Sequence, residues 1–285
     1  MNYRELQERW SAFEVDAHIY RVDDSERALD DITALAERAG LTSTDKNSWE
    51  EIGPLLELEQ ESQRFTVYRP SRAVQWVDSQ RWQVDDGSAI DVTDKDAIEA
   101  GSRVVAQLML AGDEEFVPTK VTRLNVATSA KGGEPVATRV VDLGVVYSRV
   151  LDGIAVEGQG GKIVVYLDAN LDPTGFERTN RKLTVHESVS GWRSLDEVLA
   201  EVEEYWHRRR DEGLDIDDAR QCYVELGRLE EQEYVQPAYA LSLTLHDQIN
   251  GEVRTVDHYA IAATNGIGTL MPIDLGPDPQ GRSTY

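Results

Sequence analysis

The amino-acid sequence predicts an α+β protein in which helices are packed on curled antiparallel sheets. Three observations predict it. Helical periodicity appears three times, each time followed by alternating runs rich in β-branched and aromatic residues. Strand follows strand without an intervening helix, which disfavours a doubly wound α/β arrangement. The separators between runs, such as Asp152-Gly153 and Gln248-Ile249-Asn250-Gly251, have hairpin chemistry.

A first unit is expected over residues 1–88. Asp23, Asp24 and Ser25 are good N-caps for a helix carrying Ala28, Leu29, Ile32, Leu35, Ala36 and Ala39, with Gly40 as its stop. Phe65 and Val67, then Ala73 to Val77, then Trp82 to Val84 read as strands, with Arg69-Pro70-Ser71 turning between the first two. A second unit spans 89–193. Its helix carries Ala97, Ile98, Gly101, Val104, Val105, Leu108 and Met109 and stops near Gly112. Strands are expected over 117–127, 136–147, 150–156 and 163–167. Gly158-Gln159-Gly160-Gly161 leads into a strand rather than a helix, so it lacks the amides of an anion-binding turn and reads as a hairpin. The third unit, 194–285, begins with Ser194-Leu195-Asp196-Glu197, a capping-box start. Strands over 219–229, 234–245 and 253–263 follow, then an extended tail rich in glycine and proline.

Charge excludes some functions. With 53 Asp and Glu against 29 Lys and Arg, the net charge is −24. Such a chain repels phosphate backbones and anionic membranes, so nucleic-acid binding is not expected. No apolar run reaches the ~18 residues of a membrane helix, so membrane insertion is not expected either. Cys222 is the single cysteine, so no disulfide forms within the chain. The charged first ten residues lack the apolar stretch of a secretory signal. A cytoplasmic location is expected for the chain as written, and an extracellular or envelope one if a leader has been removed.

The run Val145-Val146-Tyr147-Ser148-Arg149-Val150-Leu151-Asp152-Gly153-Ile154-Ala155-Val156-Glu157-Gly158, followed by Lys162 to Asp168, is a strand, an Asp-Gly turn, a strand ending in glycine and a further strand. It resembles the FTP and PepSY-like propeptide domains found ahead of thermolysin- and fungalysin-type metallopeptidases. The resemblance implies cystatin/PepSY-like units, and a segment that packs against a partner protein, with Tyr147 and Arg149 on the shared pattern. No His-Glu-x-x-His helix is present, so the resemblance extends to the module and not to a peptidase.

Candidate chemistry is sparse. His246-Asp247 and Asp257-His258 lie on strands joined by the Asn250-Gly251 turn, and a His–carboxylate pair makes a general base. Adjacent strand residues point to opposite faces, which works against either pair as a side-by-side dyad. Asp168, Asn170 and Asp172 alternate like the first half of a calcium loop, but Pro173 stands where that loop needs glycine and Thr179 where it needs glutamate. Trp76, Trp82 and Trp192 are candidate aromatic anchors for a partner.

Together these readings predict a non-enzymatic binding or assembly module that takes a protein or peptide partner on a sheet edge or concave face, through Trp76, Trp82, Tyr147, Arg149 and Trp192, without a cofactor. Two alternatives stand beside it. One is a cystatin-like cone-fold enzyme of cyclase or isomerase type acting on a small apolar ligand through His246, His258, Asp247 and Asp257. The other is a calcium-stabilised extracellular binding protein with a site at Asp168, Asn170 and Asp172.

Overall fold

Capping chemistry starts two helices where the sequence places them. In the computed structural model, which describes residues 3–11, 15–23, 27–42, 48–81, 90–129, 135–207, 213–246, 253–270 and 273–274, helix α3 (Asp94–Leu108) is capped by the Thr93 hydroxyl, which accepts from the Asp96 amide. Helix α4 (Leu195–Trp206) opens with a full capping box: Ser194 Oγ accepts from the Glu197 amide, and the Ser194 amide donates to Glu197 Oε2. Helix α2 (Arg27–Arg38) occupies the first expected helical segment, and Gly40 follows it with a φ of 99°. Helix α1 (Tyr3–Trp10) buries Leu6 and Trp10.

The strands are β1 (His18–Val22), β2 (Glu50–Ile52), β3 (Leu55–Gln60), β4 (Gln63–Tyr68), β5 (Ala73–Asp78), β6 (Glu115–Ser129), β7 (Pro135–Leu151), β8 (Ile154–Glu157), β9 (Lys162–Leu167), β10 (Pro173–Thr179), β11 (Leu183–Ser188), β12 (Leu214–Val224), β13 (Tyr234–Val235), β14 (Pro237–His246), β15 (Val253–Ile261) and β16 (Ile273–Asp274). One sheet runs β16-β15-β14-β12-β8-β7-β9-β10-β5-β4-β3-β2, with β6 also paired to β7; a small second sheet runs β11-β1-β13. The class expected from the sequence, helices on curled antiparallel sheets in cystatin/PepSY-like units, is overturned by this arrangement. The protein is mainly β, 48% strand against 20% helix, with one large mixed sheet. Periodicity reports local elements but not their long-range partners. Here β5 pairs with β10, and β8 pairs in parallel with β12, across the boundaries expected at 88/89 and 193/194.

Two apolar layers lie on the sheet. Helices α2 and α3 cover Phe65, Val74, Trp76, Val145, Val165 and Phe176 at one end. Helices α1 and α4 cover Ile216, Tyr239, Leu241, Leu243 and Val256 at the other. The layers meet at the end of β7. There Asp152 and Gly153, at φ 52° and 77°, form the two left-handed positions of a tight hairpin into β8. Val150 pairs with Ala155 and Ser148 with Lys162, so β8 and β9 lie along the same edge of β7 and run in the same direction. The glycine segment 158–161 is therefore an outward excursion between them and not the expected hairpin. It swings β8 against β12 and wraps the backbone of Glu225: the Gly160 amide donates to the Glu225 carbonyl at 2.9 Å, and the Glu225 amide to the Glu157 carbonyl at 3.0 Å. A Cβ on Gly160 would sit 2.4 Å from the Leu226 carbonyl oxygen.

Glu225 itself is fully buried between two buried arginines. Arg149 Nη1 donates to its Oε2 at 3.2 Å, and the Arg181 amide donates to its Oε1 at 2.7 Å. Arg149 also pairs with Glu114, and Arg181 donates to the carbonyls of Leu226, Gly227 and Glu230. Breaking a buried pair strands the remaining charge. Glu225→Gln is expected to lose about 3–5 kcal/mol by urea denaturation, and Gly160→Ala about 1–3 kcal/mol through overpacking. Losses below about 1 kcal/mol in both would show that the junction does not hold the two layers together.

Candidate functional site

The face of the sheet opposite α2 and α3 carries one row of directly paired residues across six strands. In order they are Thr122 on β6, Gly144 on β7, Tyr166 on β9, Gly175 on β10, Val77 on β5 and Arg64 on β4. Two of the six lack side chains, so the row is a groove, about 490 Å³ in volume. Both glycines are required by close approach. A Cβ at Gly144 would lie 2.5 Å from Thr122 Oγ1, and one at Gly175 would lie 2.7 Å from the Trp76 carbonyl oxygen. Tyr166 stands between them, with ring carbons 3.5 and 3.6 Å from those positions.

Polar groups converge on the ring. Glu177 accepts from Gln75 Nε2 at 2.9 Å and pairs with Arg228 at 3.5 Å. Arg228 in turn lies 4.8 Å from the centre of the Tyr68 ring. Arg123 is paired with Asp94. Asp142, 6% exposed, receives the Thr174 hydroxyl at 3.4 Å. Burial pushes the Asp142 carboxyl up to about 7, against backbone and Thr174 hydrogen bonds that pull it down. Burial, then the charge of Glu177, raises Tyr166, so its hydroxyl stays protonated. The groove thus holds an ion-paired Glu177, a buried carboxyl whose hold on its proton is strengthened by burial, and a protonated phenol. The sequence offered no signal for Asp142, because its burial depends on β6, β9 and β10 closing around β7.

The residues singled out from the sequence lie elsewhere. Trp76 is buried in the core, stacked on Phe176 with ring centres 5.8 Å apart. Trp82 lies outside the described residues. Tyr147 is buried under α3, its hydroxyl 3.0 Å from that of Ser102. Arg149 belongs to the buried ion cluster, and Trp192, half-buried, bridges to Ala263. His246 Nε2 lies 3.0 Å from Asp215 Oδ2, and Asp247 lies outside the described residues. His258 is buried 3.9 Å from Glu201 and packs on Tyr205, whereas Asp257 points to the other face, bound by Arg220 and Ser242. The three described candidates, His246, Asp257 and His258, therefore do not meet. Asp168 Oδ1 accepts from the amides of Asn170 at 2.8 Å and Asp172 at 2.9 Å, so this carboxylate shapes its own turn. Among the described residues no three His, Cys, Asp or Glu side chains come together in a way able to hold a metal ion, and no helix is long and apolar enough to cross a membrane. Cys222 is a free, buried thiol, raised well above its ordinary range by burial.

No protein family matches the chain, and no curated protein matches it. The resemblance to FTP and PepSY-like domains thus rests on the residues quoted for it.

Asp142 makes stability depend on pH. Its carboxyl is raised in the folded protein, so the folded state favours the protonated form. The stability this gives is complete below the unfolded value and lost as pH rises through about 7. Asp142→Asn stays neutral throughout. Its stability relative to the native protein is expected to rise by up to about 4 kcal/mol between pH 4 and pH 8. Urea denaturation of both proteins across that range measures it, and a pH-independent difference would contradict the assignment.

Proposed function

We propose that the protein is a non-enzymatic binding module that holds an extended, weakly charged peptide segment of a partner protein in the groove over Tyr166. One observation carries this reading: the six-strand row in which Gly144 and Gly175 open the sheet face on either side of an aromatic ring. Strands spaced about 4.8 Å apart give such a row a length of roughly 24 Å, or about seven residues of extended chain. The groove's own charges select the occupant. Glu177 and Arg123 are already paired, which favours uncharged hydrogen-bonding groups at the centre, and exposed Arg64 at the rim suits one carbonyl or carboxylate. Tyr166 supplies a flat apolar surface with a polar tip.

Asp142 supports a second reading, acid–base chemistry on the bound ligand, because a buried carboxyl pushed up to about 7 matches a general acid. This reading rests on the groove and not on the four histidine and aspartate candidates of the sequence.

Selection of a displayed library of random ten-residue peptides against the immobilised protein tests the binding reading. Selected peptides are expected to bind stoichiometrically, to be recovered intact, and to lose at least tenfold in affinity to Tyr166→Ala and Thr122→Arg by fluorescence anisotropy. Peptides that bind both variants as well as the native protein, or a library that yields none, would overturn it. Peptides recovered chemically altered by the native protein but not by Asp142→Asn would replace it with the acid–base reading.

A further inference from the structure

A second cleft, about 560 Å³, lies on the opposite side of β10, between α2, the turn before β5, the segment after α3 and the β10–β11 connection. Its lining carries Arg38, Arg72, Arg178, Arg181 and Lys182 together with Asp23, Asp31, Asp113 and Glu114. Most of these charges are accounted for. Arg181 and Glu114 belong to the buried cluster, where Glu114 also accepts from Asn180 Nδ2 at 2.8 Å. Asp31 lies 4.0 Å from Lys182, and Arg38 Nε donates to the Leu108 carbonyl at 2.9 Å.

Arg178 is different. It is held on β10 between β5 and β9, two residues beyond the core residue Phe176 and on the same face. Its Nε is shut off from solvent with no hydrogen-bond partner, and it makes no ion pair with a described carboxylate. Glu114 and Asp31 act on it only at longer range, and burial lowers its guanidinium from the ordinary value. Two residues on, Asn180 Oδ1 is likewise buried and unpartnered among the described residues. An unmatched guanidinium fork beside an unmatched carbonyl calls for oxyanion oxygens together with a hydroxyl donor.

We infer that this cleft is a binding site for a small hydroxylated oxyanion, a phosphate or hydroxy-carboxylate group held by Arg178, with Asn180 accepting its hydroxyl. The flat fork of Arg178 meets two oxygens of the anion side by side, and Lys182 and Arg72 at the cleft wall add positive charge. The site shares no lining residue with the groove over Tyr166, so either can fail without the other.

Titration at constant ionic strength, balanced with sodium chloride, tests it, with inorganic phosphate at pH 6.5 and malate as separate probes and thermal shift and isothermal calorimetry as readouts. At least one probe is expected to bind saturably below 10 mM and to raise the melting temperature above the chloride control. Saturation by phosphate alone assigns a phosphate group, and saturation by malate alone a hydroxy-carboxylate. Arg178→Met is expected to weaken binding at least tenfold, and Arg178→Lys, which keeps the charge but not the fork, several-fold. Arg64→Gln in the other groove is expected to leave it unchanged. Should Arg178→Met not fold, the Lys variant carries the comparison. No saturation with either probe, or equal affinity in the folded Arg178 variants, would overturn the inference.

Discussion

The buried contact between Glu225 and two arginines is the constraint on which the rest of the molecule depends. A carboxylate with no exposed surface needs its charge matched and its lone pairs filled, and here both come from distant parts of the chain. Arg149 arrives at the end of β7, and Arg181 just after β10. Glu225 follows β12, and Glu114 precedes β6. Four separate segments are thus fixed relative to one another by one cluster. The glycines at 158, 160 and 161 are its steric counterpart. Gly158 and Gly160 lie where a side chain would strike the backbone of Glu225 or Leu226, and a Cβ on Gly161 would lie 2.5 Å from a Val156 methyl.

That cluster also sets both candidate sites. Arg149 shares β7 with Asp142 and Gly144, while Arg181 lies three residues past Arg178. The pleat of β10 sends Gly175 and Glu177 to the open face and Phe176 and Arg178 to the helical face. One strand therefore lines both the groove and the cleft, and its register, pinned on both sides by β5 and β9, keeps them apart. A slip of one residue would exchange Arg178 with Glu177 and destroy both.

Local signals were legible in the sequence, and distant ones were not. Ser194 and Glu197 announce the start of α4 because a capping box is complete within four residues. Asp152-Gly153 announces its turn for the same reason. The class failed because no local pattern says that β5 will pair with β10 or that β8 will leave β7 to meet β12 in parallel. Trp76 read as an aromatic anchor and Arg149 as a partner contact through the propeptide-like pattern, yet each is consumed by the core. Glu225 read as one of many acidic residues, and only the converging arginines distinguish it. Tyr166 and its two glycines become a feature once three strands are side by side.

The net charge of −24 takes on a more specific meaning in this light. Several arginines are drawn inward: Arg149 and Arg181 are buried, Arg178 is partly so, and Arg220 is clamped by Glu157 and Asp257. Many carboxylates remain on the surface, as along Glu50–Ile52 and on α4. Such a surface repels an approaching anion over distances that salt screens, since the Debye length is about 8 Å at physiological ionic strength. Attraction inside the Arg178 cleft acts over a few ångströms in a partly desolvated setting, where screening is weaker. Salt therefore removes more of the repulsion than of the binding contact. For a basic protein the same anion would bind more weakly as salt rises. Here the acidic surface opposes that trend, because the charges that repel the ligand are exposed while the guanidinium that holds it is not.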